Sequence, residues 1–162
     1  MSLSIGVDVG GTKIAAGVVD EEGNVLESLR RSSPAKERAA IIDTIVAVTA
    51  ELAARHKTAS VGIGAAGFVS SDRSTIAHGT NLDWTGLNLG KAVSGRVDLP
   101  VVVENDANAF GWAEARFGAA RGKKNALIVA IGTGVGGALV VDGRLVRGAA
   151  GFANYQDRKS VV

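Results

Sequence analysis

The hexapeptide Asp8-Val9-Gly10-Gly11-Thr12-Lys13 lies between two apolar runs that read as strands. Leu3, Ile5 and Val7 alternate with Ser4, Gly6 and Asp8 before it, and Ile14 to Val19 follow it, so the loop joins strand to strand. Gly10 and Gly11 can take positive φ and let backbone N–H groups approach an anion closely, while Thr12 and Lys13 add a hydroxyl and a charge. Asp8, expected at the strand end, offers a carboxylate that can hold Mg²⁺ through water. The same six residues also read as an ordinary Gly-Gly turn, and local sequence leaves both readings open.

The pattern returns 122 positions on. Aligning Gly10 with Gly132 pairs Val7 with Val129, Val9 with Ile131, Val18 with Val140, Val19 with Val141 and Asp20 with Asp142. The second copy runs Ile131-Gly132-Thr133-Gly134-Val135-Gly136-Gly137, then Ala138 to Val141 and the turn Asp142-Gly143. Two glycine hairpins of one design suggest duplicated lobes closing on one nucleotide.

With 46% apolar residues in 162, the chain can bury a sizeable core. Eighteen Lys and Arg against 16 Asp and Glu leave a net charge of +2, no footprint for nucleic acid. There are no cysteines, hence no disulfides or thiolate metal sites, and no basic-then-apolar leader precedes Leu3; cytoplasm is the expected location. The longest apolar run, Ala126 to Val141, is interrupted by glycines and suits two strands better than a membrane span.

Val25, Leu26 and Leu29 suggest a third strand, and Ser33-Pro34 reads as an N-cap with proline at the first helical position. Ile41, Ile42, Ile45, Val46, Thr49, Leu52 and Ala53 recur at helical spacing up to about His56, which belongs at a helix C-terminus and takes no catalytic role. Ser60 to Ile63 reads as a short strand running into Gly62-Ile63-Gly64-Ala65-Ala66-Gly67. This segment and Gly132 to Gly137 both match G-x-G-x-x-G, but neither is followed by the helix a dinucleotide site requires. A Walker A loop is absent too.

Asn81-Leu82-Asp83-Trp84 sits in a polar connection where ligand groups collect, which makes Asn81 a candidate sugar contact; the plainer reading is a turn residue with Trp84 as a core plug. Leu87 to Val93 reads as a short helix. Pro100 to Val103 is a strand, Glu104-Asn105-Asp106-Ala107-Asn108 stands at its carboxyl end, and a helix follows to about Phe117, with Gly118 as its C′ residue. A carboxylate between strand end and helix start points at the crevice where parallel sheets bind ligands, and the helix N-terminus is expected to keep it ionised. Asp106 is thus placed to take a proton from a hydroxyl, and Asn105 suits a hydroxyl-rich ligand; the alternative is that one of them only caps the helix.

These residues resemble the amino-terminal half of a ROK-family sugar kinase, most closely the family's glucokinases. The matching motifs are Asp8 to Lys13, Gly62 to Gly67, Asn81 to Trp84, Glu104 to Asn108 and Ile131 to Gly137, in the family's order, covering residues 3 to about 153. The resemblance implies an α/β, actin-like ATPase (RNase H-like) fold, with a complete first lobe at 1–118 and the first strands of a truncated second lobe at 119–162. It also implies ATP and Mg²⁺ as cofactors and phosphorylation of a hexose at its 6-hydroxyl, D-glucose first, with fructose, N-acetylmannosamine and allose as alternatives. Asp106 would be the general base, while Asn81, Asn105 and the Gly64, Ala65 and Gly67 backbone would hold the sugar. Gly10, Gly11, Thr12, Lys13, Gly132, Thr133 and Gly134 would cradle the phosphates, with Asp8 near Mg²⁺.

The family also contains helix-turn-helix repressors, for which a phosphate loop that begins at residue 8 is expected to leave no room, and its kinases are homo-oligomers. After Ala153 the sequence departs: Tyr155 stands where the family's sugar-binding Glu belongs, Arg158 where its His belongs, and the zinc-binding cysteine motif is missing. A truncated or frame-shifted product with three second-lobe strands and little kinase activity of its own is therefore expected. A non-catalytic remnant, or a fragment that pairs with a partner chain, is the remaining alternative.

Overall fold

The computed structural model describes residues 2–34, 36–79, 82–131, 134–151 and 155–158. The first hairpin forms as read: β1 (Leu3–Val9) and β2 (Lys13–Val19) pair antiparallel from Ser4↔Val19 to Val9↔Ile14. β3 (Val25–Ser32) pairs antiparallel with β2, while β4 (Thr58–Ala65) lies parallel to β1 on its other side. A short hairpin of β5 (Gly67–Val69) and β6 (Ile76–Gly79) follows β4, and β7 (Val101–Asn105) pairs parallel with β4. The resulting sheet has the order β3-β2-β1-β4-β7.

Period-two alternation decides the faces. Ile5, Val7, Val9, Ile14, Ala16, Val18, Val61, Ile63 and Val103 turn to one side and are buried. There they meet the stripe Ile41, Ile45, Val48 and Leu52 of α1 (Arg38–Arg55), beside which α2 (Leu89–Val97) packs. Each of these isoleucines and leucines contributes roughly 1.5–3 kcal/mol by leaving water. The opposite face is built of small residues, with Gly17, Gly6 and Gly62 side by side on β2, β1 and β4.

Helix starts differ from the sequence reading. α1 begins at Arg38, with Glu37 at an N-cap position that makes no side-chain cap, and neither Ser33 nor Pro34 starts it. Ser33 is occupied otherwise: its N–H donates to Thr12 O at 3.0 Å, continuing the pairing of β3 with the hairpin, and Pro34 O closes a turn onto the Glu37 N–H. α2 starts at Leu89 and not Leu87, because the Asn88 side chain accepts the Lys91 N–H at 2.9 Å. His56 does stand at the C-cap of α1, and its Nε2 lies 2.7 Å from Glu27 Oε2, tying helix to β3.

A second sheet follows α3 (Asp106–Arg116). β8 (Ala126–Ile131) and β9 (Gly134–Val141) form the second hairpin, which β10 (Arg144–Leu145) extends through the turn Asp142-Gly143, both residues at positive φ. Against the expectation of three strands, a fourth is present. β11 (Tyr155–Arg158) pairs antiparallel with β9, so the sequence after Ala153 still joins the sheet because β9 offers an unpaired edge there.

Between the sheets α3 packs closely on β9. A Cβ on Gly111 would come within 2.3 Å of the Ala138 Cβ, so glycine sets that distance. Ala138, Val140 and Leu145 are buried there. The other face of β8 and β9 presents Leu127, Val129, Ile131, Leu139 and Val141 to solvent, Leu127 and Ile131 at 71% and 74% exposure. No helix among the described residues is long and apolar enough to cross a membrane.

Candidate active site

Three parallel strands end together, and the register puts Asp8 of β1, Gly64 of β4 and Glu104 of β7 in one row on the small-residue face. α3 starts immediately after β7, so Asp106 occupies its first turn beside that row. A cavity of about 650 Å³ runs along this face, with Asp8, Gly64, Glu104, Asp106, Phe110 and Arg147 among its walls. Asp8 is the penultimate residue of β1 and not its last; its side chain is exposed to the cavity because alternation turns Val9 inward.

Asp106 Oδ1 accepts the Ala107 N–H at 2.9 Å and the Asn105 Nδ2 at 3.0 Å. Its carboxyl pKa is nevertheless raised from its ordinary value, first by burial and further by the negative charge of Asp8, while the hydrogen bonds at the start of α3 oppose the shift. A carboxylate with raised proton affinity is a better proton acceptor in a cleft.

Asn105 is 1% exposed. Its Oδ1 accepts the Asn108 N–H at 3.0 Å, so the capping alternative holds for this residue. Its Nδ2 reaches Gly67 O at 2.8 Å as well as Asp106. Both donor hydrogens are therefore engaged within the protein, and Asn105 fixes the kink at Gly67 relative to the carboxylate. Gly67 has φ +136°, and a Cβ there would meet His78 O at 2.4 Å, so only glycine serves where β4 turns into β5. Gly64 faces the cavity, while the Ala65 side chain is buried on the α1 side, leaving only its backbone for a ligand.

Asn81 lies outside the described residues. Its neighbour Trp84 follows the plainer reading: fully buried, it donates Nε1–H to Ala66 O at 3.2 Å and plugs the core beneath the β5–β6 hairpin. Arg38, which the sequence did not single out, donates to Asp83 O at 3.1 Å and Thr85 O at 3.4 Å and holds this loop against α1.

In the first hairpin neither Gly10 nor Gly11 uses the positive φ open to it. Gly10 N–H closes the turn onto Lys13 O at 2.9 Å, and a Cβ on Gly10 would stand 3.3 Å from that same oxygen. Close approach, and not handedness, is what glycine supplies there. Thr12 and Lys13 are exposed at the tip. Gly132 and Thr133 lie outside the described residues, and Gly134 is the first residue of β9. Among the described residues no three acidic or histidine side chains cluster as a metal cage.

Sequence reasoning missed Glu104 as a functional side chain. Its Oε1 accepts the Asn105 N–H and the Asn108 Nδ2, both at 3.1 Å, and its Oε2 accepts Arg147 Nε at 2.6 Å. The position at a strand end, one residue before Asn105-Asp106, was an available signal; for Arg147 there was none.

Residues 4–155 match the sequence profile of the ROK family. The chain belongs to that family. Glucokinase of Streptomyces coelicolor is 48% identical over 153 residues, 94% of this chain and 48% of that protein. A ROK family glucokinase from Streptomyces griseus, solved in complex with glucose and AMPPNP, superimposes with TM-score 0.90 at 47% identity over 94% of this chain and 48% of that one. An inorganic polyphosphate/ATP-glucomannokinase from Arthrobacter gives TM-score 0.82 at 35% identity, over 90% and 61% of the two chains. The ROK chain described here thus has the actin-like ATPase fold expected of it, and it spans about half the length of the glucokinases it matches.

Proposed function

We propose that this ROK chain carries the sugar side and the first phosphate hairpin of an ATP-dependent hexose kinase acting on the 6-hydroxyl of D-glucose. The observation that carries the reading is Asp106: a carboxyl with raised proton affinity, aimed into a cavity at the end of parallel strands and held by a buried amide. Supporting it, the Streptomyces griseus relative was solved with glucose and AMPPNP. In this reading Asp106 takes the proton of the attacking hydroxyl. Asn81 and the Gly64, Ala65 and Gly67 backbone hold the sugar, and Asn105 sets the geometry of both. Gly10, Gly11, Thr12 and Lys13 face the triphosphate from one side, Gly132, Thr133 and Gly134 from the other. Lobes at 1–118 and 119–162 follow, bridged by α3.

Mg²⁺ fits Asp8 as a water-mediated partner: one exposed carboxylate without a surrounding cage suits an ion that keeps most of its waters. Bound there, it would supply charge neutralisation at the phosphates, and positioning is the rest of what phosphoryl transfer needs. A cytoplasmic enzyme that assembles as a homo-oligomer completes the reading. The chain by itself is proposed to be nearly inactive, since Tyr155 and Arg158 replace the acid and imidazole expected there.

The test is a fusion of residues 1–153 to the remaining half of Streptomyces coelicolor glucokinase. It should phosphorylate glucose with ATP, and Asp106→Asn in it should lower kcat by about 10²–10⁴-fold, the usual worth of a general base. A folded fusion inactive on every hexose, or an undiminished Asp106→Asn variant, would refute the assignment.

A further inference from the structure

We propose that Glu104 is a positioning residue which couples the two sheets: one carboxylate holds the asparagines beside Asp106 and, through Arg147, ties residues 146–151 to β7 at the wall of the cavity. The role given to the asparagines rests on the kinase reading; the coupling rests on geometry alone.

Glu104 ends up almost enclosed, its side chain 12% exposed, although it stands on the open face of the first sheet. Both oxygens are engaged. Oε1 takes two donors from the start of α3, the Asn105 N–H and the Asn108 Nδ2. Because Nδ2 of Asn108 must face a carboxylate, the amide orientation is fixed by charge, and Oδ1 of the same residue is left buried without a partner among the described residues. Oε2 takes Arg147 Nε, and Arg73 Nη2 stands 3.7 Å away. Two guanidinium groups thus share one carboxylate. Burial and the neighbouring Arg147 charge hold the Arg73 pKa below its ordinary value, with Glu104 opposing them.

Arg147 belongs to the second sheet's side. The preceding Val146 donates its N–H to Leu139 O at 2.8 Å on β9. Four residues further, Gly151 is buried at φ +91°, and a Cβ there would sit 2.4 Å from Val69 O and 2.9 Å from Ser71 N. The segment therefore starts on β9, is pinned to β7 at Glu104 and ends against the β5 strand and the turn after it. That turn is tied to β7 as well, through the Val103 N–H to Arg73 O bond of 2.9 Å. A charge-assisted link between two partly enclosed groups is worth more than an exposed pair and is screened less by salt.

Hydrogen exchange of the 162-residue chain tests this. Arg147→Met, at a side chain one-third exposed, should speed exchange at Val146 and Gly151 at least tenfold while β1, β2 and α1 keep their rates. Glu104→Ala should add the amides of Asn105 and Asn108 to the fast set; if that variant does not fold, Arg147→Met decides. Unchanged exchange at Val146 and Gly151 in Arg147→Met would overturn the proposal. That result does not bear on phosphorylation by the fusion described above.

Discussion

Asp8 and Asp106 line one cavity from different elements, and the charge on Asp8 adds to burial in raising the proton affinity of Asp106. Like charges near each other disfavour ionisation of the more buried one. Asp8→Asn removes that repulsion and leaves the burial, so the Asp106 titration midpoint should fall toward, but not reach, the value of an exposed carboxyl. Carboxyl-carbon NMR of the two proteins measures it, and an unchanged midpoint would show that the two groups do not interact.

The same raised affinity makes a signed prediction about stability. In the folded chain Asp106 binds its proton more tightly than in the unfolded one, so its contribution is fully present below the unfolded midpoint and is lost as pH rises through the folded one. Asp106→Asn keeps an acceptor for Ala107 N–H and cannot ionise. Its melting temperature should therefore exceed that of the native chain near pH 7, by roughly 2–4 °C for each kcal/mol relieved in a domain of about this size, and the gap should close near pH 3. A variant less stable than native at both pH values would mean that the ionised carboxylate is well solvated.

Much of this site was legible before any coordinates, because its parts are local: Asp8 closes an alternating run, and Asp106 follows a strand and opens a helix. What escaped was non-local. The N-terminus of α1 moved from Ser33 to Arg38 because Thr12, about twenty residues earlier in sequence, claims the Ser33 N–H. The raised proton affinity of Asp106 was not read, because the burial that causes it comes from distant elements. Glu104 was passed over because its partner, Arg147, is 43 residues away. Which of its two freedoms Gly10 uses was also not legible: the structure shows close contact across its own turn and not a positive φ.

Asn105 fixes three things at once: the α3 N-terminus, the Gly67 kink and one oxygen of Asp106. Asn105→Ala removes a helix cap and leaves Gly67 O without its buried donor. These losses should cost about 1–3 kcal/mol, read as a lower urea midpoint with unchanged slope. A loss under about 0.5 kcal/mol, the level of an ordinary surface change, would mean that water replaces the amide.

At the contact between α3 and β9 two effects of opposite sign compete. Replacing glycine by alanine inside a helix normally gains up to about 1 kcal/mol. At Gly111, however, the new methyl would stand 2.3 Å from the Ala138 Cβ, and overpacking of that kind typically costs about 1–3 kcal/mol. Gly111→Ala should therefore destabilise the chain, and Ala138→Gly in the same molecule should restore part of the loss, since the two methyls compete for one space. Thermal unfolding of the two single variants and the double gives the coupling directly. Additive effects would mean that α3 and β9 separate in solution by more than a methyl's width.

The outer face of β8 and β9 carries Leu127, Val129 and Ile131 at alternate positions of one strand and Leu139 and Val141 on the other. Five such side chains form a patch of the kind monomers seldom leave in water, and half the length of the related glucokinases is not represented in this chain. The chain by itself should associate with concentration, visible as a rise in mass by light scattering from micromolar upward. Leu127→Lys with Ile131→Lys places two charges at the most exposed points of the patch and leaves the buried side of the hairpin, Ala138 and Val140, untouched. That double variant should remain monomeric at concentrations where the native chain does not, with thermal stability changed by less than about 1 kcal/mol, as expected of surface positions. If the native chain stays monomeric throughout, or the lysines leave its association unaltered, self-association does not run through this face.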